Sequence, residues 1–173
     1  MRVYIPATIR MLRTLVTERE LSAINGTAFA VTPALREAYS SGDDDELAEV
    51  AMAEAARASL RLLAGEIEDV GAVHDADGAP VHRRAVIAAD VDAKLRPDLD
   101  DAVVRLSEPV TYAQVASAHV DLADAEPTMV RALDAIDAAD LGDTDAEFVL
   151  GDAEDHELAW YAAQELPFLV ELL

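Results

Sequence analysis

Twice within its first forty residues the chain runs from a short apolar segment straight into a helix-start signal. Residues 2–5 (Arg-Val-Tyr-Ile) read as a strand that ends at Pro6, and Thr8 is placed to N-cap a helix reaching about residue 16. A hydroxyl just before an apolar, helix-periodic run satisfies the amides that a helix start leaves unpaired. Residues 27–31 (Thr-Ala-Phe-Ala-Val) repeat the pattern, with Thr32 as cap and Pro33 at the first helical position, where a missing N–H costs nothing. Two consecutive strand–helix units predict parallel strands joined by a right-handed crossover.

The remainder reads as an alternation of longer helices and short strands. Residues 43–46, all acidic, open a long helix whose stripe is Leu47, Ala51, Ala55, Ala58 and Leu62; Gly65 is its expected stop. Residues 66–81 read as a polar loop that carries His74 and the calcium-loop-like run Asp75–Ala76–Asp77–Gly78. That run lacks the downstream glutamate such a loop needs, because the position is Val86. His82 sits at the loop's far end. The nearly unbroken apolar run Ala85–Val86–Ile87–Ala88–Ala89 suits a central strand. Residues 102–107 alternate, and a Thr111-to-Gln114 capping box opens one helical turn. Residues 115–121 form a further strand with Ser117, His119 and Asp121 on one face. Pro127 starts a helix ended by Gly142, and a last helix spans residues 152–166 until Pro167 interrupts it. The expected fold is one α+β domain over residues 1–173: a mixed sheet of about five strands with helices packed on it.

Composition narrows the function classes. The formal net charge is −22, from 35 acidic residues against 13 basic ones, and Lys94 is the only lysine. Such a surface repels phosphate backbones and anionic lipid, so nucleic acid and membrane are not expected partners. A GC-rich coding bias explains the arginine-for-lysine usage better than salt adaptation, because long apolar side chains are plentiful. There is no cysteine, so disulfides, zinc–thiolate sites and thiol nucleophiles are excluded. No segment is apolar for long enough to cross a bilayer, and the N-terminus lacks a signal-peptide run. A cytoplasmic setting is expected, with no cofactor and no metal assigned.

Several segments are similar to an uncharacterised actinobacterial protein family: residues 1–8 (Met-Arg-Val-Tyr-Ile-Pro-Ala-Thr), residues 29–37 (Phe-Ala-Val-Thr-Pro-Ala-Leu-Arg-Glu), His119-Val120-Asp121, Asp155-His156-Glu157-Leu158 and Trp160-Tyr161-Ala162. The resemblance spans essentially the whole chain. It implies a bacterial cytoplasmic protein and carries no assigned activity or catalytic residue.

Candidate sites therefore come from the residues themselves. On the expected last helix, His156, Trp160 and Gln164 recur once per turn and could line a pocket; the plainer alternative buries this face, with Trp160 as a core residue. Burial would make Trp160→Ala cost about 3–5 kcal/mol. His119 beside Asp121 is a base next to a possible orienter. Residues i and i+2 on a strand do not usually touch, which argues against a Ser117/His119/Asp121 triad. If His119/Asp121 met His156/Glu157 across the core, they would offer acid–base or metal-ligand chemistry. Thr8, Thr32 and nearby Arg36 could face an anion at two helix starts. These residues support a binding module, regulatory or accessory, for a small molecule or protein. The alternatives are a small hydrolase using His119, Asp121, His156 and Glu157, or an acidic mimic of nucleic acid. A cleft holding both His119 and His156 is the decisive expectation.

Overall fold

The computed structural model describes residues 1–70 and 80–173. His74 and the run Asp75–Gly78 lie outside the described residues. The fold is α+β, built on one seven-stranded sheet. In chain order its strands are β1 (Arg2–Ala7), β3 (Thr27–Phe29), β4 (Ala85–Asp90), β5 (Lys94–Leu95), β6 (Val103–Arg105), β8 (Val115–Val120) and β9 (Ala159–Ala162). Their spatial order is β5-β6-β3-β1-β4-β8-β9. A separate two-stranded ribbon pairs β2 (Glu20–Leu21) with β7 (Val110–Thr111).

Every neighbouring pair in the sheet is antiparallel. This corrects the expectation of a mixed, five-stranded sheet that starts with parallel strand–helix units. The local signals at Thr8 and Thr32 are real, and each threonine caps its helix: Met11 N–H donates to Thr8 Oγ1 at 3.3 Å and Leu35 N–H to Thr32 Oγ1 at 3.0 Å. The difference lies in the segment between α1 (Ile9–Glu18) and β3. There β2 and a one-turn 3-10 helix (Ile24–Gly26) extend the connection, and β3 enters against β1. Arg19 and Asn25 make those turns with positive φ, 64° and 57°.

Helices pack on both faces of the sheet. Val3, Ile5, Ala7, Ala85, Ile87, Ala89, Ala118 and Val120 point to one side, where Leu12 and Leu15 of α1 meet Leu166 and Leu169. Those leucines belong to α6 (Leu166–Leu172), which Pro167 opens rather than ends, in keeping with its place in the first turn. On the other side Phe29, Val86 and Val103 pack under Leu47, Ala51 and Ala55 of α3 (Asp44–Val70) and Leu35 of α2 (Pro33–Ala38). Gly65 does not stop α3, because no turn chemistry follows it and the chain stays helical through Val70. The apolar run at 85–89 is buried on both faces, as expected of a central strand. The Thr111–Gln114 capping box is also present. No helix among the described residues is long and apolar enough to cross a membrane.

The far half of α3 carries a helical hairpin, α4 (Glu126–Asp140) and α5 (Thr144–Glu154), packed through Leu60, Met129, Ile136 and Leu150. Two arginines of α3 fasten it. Arg61 makes a two-pronged contact with Asp140, Nε–Oδ2 2.8 Å and Nη2–Oδ1 2.9 Å, and Arg57 reaches Asp140 at 3.1 Å and Glu147 at 3.0 Å. Hydrogen bonding from Arg61, reinforced by Arg57 and opposed by partial burial, lowers the Asp140 carboxyl to about 2. A carboxyl depressed in the folded state stabilises it fully above the unfolded value. That contribution drains away as pH falls from about 5 toward 2. In urea unfolding, wild type should therefore exceed Asp140→Asn in stability at pH 7, with the gap narrowing below about pH 4 and closing toward pH 2. A gap that does not change with pH would contradict this account.

Candidate functional site

The face of the sheet under α3 is only partly covered. Over β4, β8 and β9 it opens into a cleft of about 680 Å³. The register fixes its floor. One row across the strands runs Tyr4, Ala88, Ser117, Ala162; the next runs Pro6, Val86, His119, Trp160. His119 and Trp160 are thus direct cross-strand neighbours, a spacing at which side chains interact. Asp45, Glu49 and Met52 of α3 line one wall, and Glu154, His156, Glu157 and Leu158 line another. His119 and His156 both line this cleft.

Two details shape the floor. Between Ala88 and Ala89 the β4–β8 register shifts by one, which leaves Ala116 as an extra, bulged residue. Val115 rather than Ala116 then faces the core with Ala118 and Val120. A bulge bends and twists its strand and re-aims adjacent side chains. The residue that follows it, Ser117, places Oγ 3.1 Å from His119 Nε2. These i and i+2 side chains do touch, against the general expectation for a strand. Burial, and next the positive charge of Arg2, lower the His119 pKa and keep the ring neutral. Arg2 is itself paired with Asp90 at 2.8 Å. Burial also raises the Tyr4 phenol, which stays protonated.

Asp121 does not serve His119. It is fully buried, at 0% exposure, and meets Arg84, which is 3% exposed. Arg84 Nε and Nη2 donate to its two carboxylate oxygens at 2.9 and 2.8 Å, and the Arg84 backbone N–H adds a third bond at 2.8 Å. Arg84 Nη2 also donates to the His156 carbonyl at 2.8 Å, so the pair holds the segment that leads into β9. The His156 ring is positioned separately, with Nε2 3.2 Å from Thr128 Oγ1 on α4. Among the described residues no three His, Asp or Glu side chains converge on a possible metal position.

Other expectations need correction. Residues 156–164 are not a helix, so His156, Trp160 and Gln164 share no helical face. His156 precedes β9, Trp160 lies on it, and Gln164 sits in the one-turn 3-10 helix Ala163–Glu165. The aromatic pair Trp160–Tyr161 suits a strand, and the open edge of β8 captures it. Trp160 is 60% exposed, not a core residue. Thr8 and Thr32 are buried, and their hydroxyls donate to the Glu66 carboxylate and the Asp101 carbonyl. Arg36 pairs with Asp44. None of the three is left facing an anion. Sequence reasoning missed Arg84, Arg2 and Tyr4. The one available signal was an arginine placed directly before a buried strand, opposite an aspartate directly after another.

The buried pair and the exposed indole give opposite expectations. Asp121→Ala leaves the Arg84 charge uncompensated and should cost about 3–5 kcal/mol in denaturant unfolding. Trp160→Ala removes an exposed side chain and should cost under about 1 kcal/mol. Reversal of that order would show that Trp160, not the ion pair, secures the β9 edge.

No curated protein and no solved structure matches the chain. Its sequence does match a protein family over residues 1–170, nearly end to end. The chain belongs to DUF6912, a family of unknown function.

Proposed function

We propose that this protein is a cytoplasmic binding module, regulatory or accessory in role, whose ligand is a small molecule held in the cleft over β4, β8 and β9. One observation carries the reading. Trp160, the only tryptophan, stands 60% exposed beside His119 at a cleft of about 680 Å³. A large indole left in water at a concave, partly apolar site is a feature of binding surfaces rather than of a satisfied core. Its ring offers a flat stacking face, while Ser117, His119 and His156 supply polar groups that orient a ligand. The small side chains of Ala48, Ala53, Ala56 and Ala88 keep the slot open.

Charge selects among ligands. Asp45, Glu49, Glu154 and Glu157 line the cleft, whereas its two arginines already have carboxylate partners in Asp90 and Asp121. A ligand that is neutral or cationic enters this field more readily than an anion. The same field argues against nucleic acid. The hydrolase alternative built on His119, Asp121 and His156 loses Asp121 to Arg84. The nucleic-acid-mimic alternative rests on net charge alone.

Benzyl alcohol, benzylamine and benzoate, titrated at millimolar concentration, test this directly. The readouts are Trp160 emission and the Trp160 indole N–H resonance. The first two compounds should perturb both signals saturably and benzoate should not. Equal response to all three would remove the charge argument, and no response to any would overturn the cleft as a binding site.

A further inference from the structure

We propose that Ser117 and His119 form a nucleophile–base pair for acyl transfer, so that the cleft hydrolyses neutral or cationic esters; this rests on the reading of the cleft as a small-molecule site. Three observations converge. Ser117 Oγ lies 3.1 Å from His119 Nε2, the contact that lets an imidazole take a hydroxyl proton. The bulge at Ala116 sits immediately before Ser117, on the strand that carries both groups. Both side chains line the cleft, with Trp160 next to His119 in the same sheet row.

The chemistry balances without an added cofactor. Ser117 Oγ attacks the ester carbonyl carbon as its proton passes to His119 Nε2. The tetrahedral centre collapses, the bond to the leaving oxygen breaks, and His119 returns the proton to the departing alcohol. Water then attacks the acyl-serine carbon and gives a proton to His119. The bond to Oγ breaks, Oγ recovers that proton, and a carboxylic acid leaves. The neutral state of His119 lets it accept the first proton. Asp121 is not available to steady the imidazolium. The acidic lining of the cleft supplies a general negative field for that charge, which Arg2 opposes. Tyr4 lines the same cleft and stands in the same row as Ser117 with Ala88 between them, which makes its phenol the candidate donor to the developing oxyanion. The two strands stand roughly 10 Å apart, twice the ordinary strand spacing, which leaves room above Ala88 for a carbonyl group.

The test is covalent labelling of the full chain with a neutral alkyl fluorophosphonate, mapped by peptide mass spectrometry. The probe forms an Oγ–phosphorus bond and loses fluoride with the serine proton. A single adduct on Ser117 is expected, absent in Ser117→Ala. His119→Gln keeps a hydrogen-bonding side chain but cannot serve as the base, so labelling should slow by about 100-fold. Neutral p-nitrophenyl butyrate should be hydrolysed faster than anionic p-nitrophenyl hemisuccinate, and by wild type only. Labelling elsewhere, or labelling that His119→Gln does not slow, would overturn the pair. No adduct in a protein whose Trp160 still responds to benzylamine would overturn the acyl-transfer inference and leave the binding site standing. Failure of both readouts would overturn both.

Discussion

The buried Arg84–Asp121 pair is the constraint on which the site depends. Two charges removed from water are expensive. Their attraction offsets that cost only with good geometry and with the remaining polar atoms satisfied. Here the carboxylate accepts three bonds from one residue, and the guanidinium has a further outlet at the His156 carbonyl. The pair therefore ties together three pieces of chain: the start of β4, the end of β8 and the turn into β9. β9 is an edge strand of four residues, paired on one side only, with β8. With that turn anchored, β9 lies in register along β8 and Trp160 falls beside His119.

The cleft is then a consequence of what covers the sheet and what does not. α3 packs over β3, β1 and part of β4 through alanines and leucines, and the Arg57 and Arg61 contacts fix the helical hairpin to its far half. Between α3 and the β9 turn, small floor residues leave open space instead of a packed interior. The charge follows the same division. The buried arginine is neutralised locally, while carboxylates gather toward solvent, so the cleft inherits a negative field from the chain as a whole.

Local signals in this sequence were legible because their chemistry acts over a few residues. Thr8 and Thr32 cap helices, Thr111 and Gln114 close a capping box, and residues 85–89 form a doubly buried strand. The shared face of Ser117 and His119 also followed from the two-residue period of a strand. What was not legible depends on distant partners. Antiparallel pairing of β1 and β3 is set by the passage through residues 19–26, where Asn25–Gly26 marks a turn but not the strand that β3 then meets. His156, Trp160 and Gln164 recur at helical spacing, yet pairing with the free edge of β8 outweighs that period. The role of Asp121 is not legible locally because its partner, Arg84, is 37 positions away. The bulge at Ala116, next to Ser117, has no sequence mark at all.

The most direct measurement is a histidine-ring NMR pH titration of the full chain and of Ser117→Ala. A ring withdrawn from water beside Arg2 and bonded to Ser117 should titrate below the ordinary histidine value of about 6.5, and its midpoint and ring shifts should move when the hydroxyl is removed. An ordinary midpoint, unchanged in Ser117→Ala, would place His119 in open solvent and contradict the cleft described above.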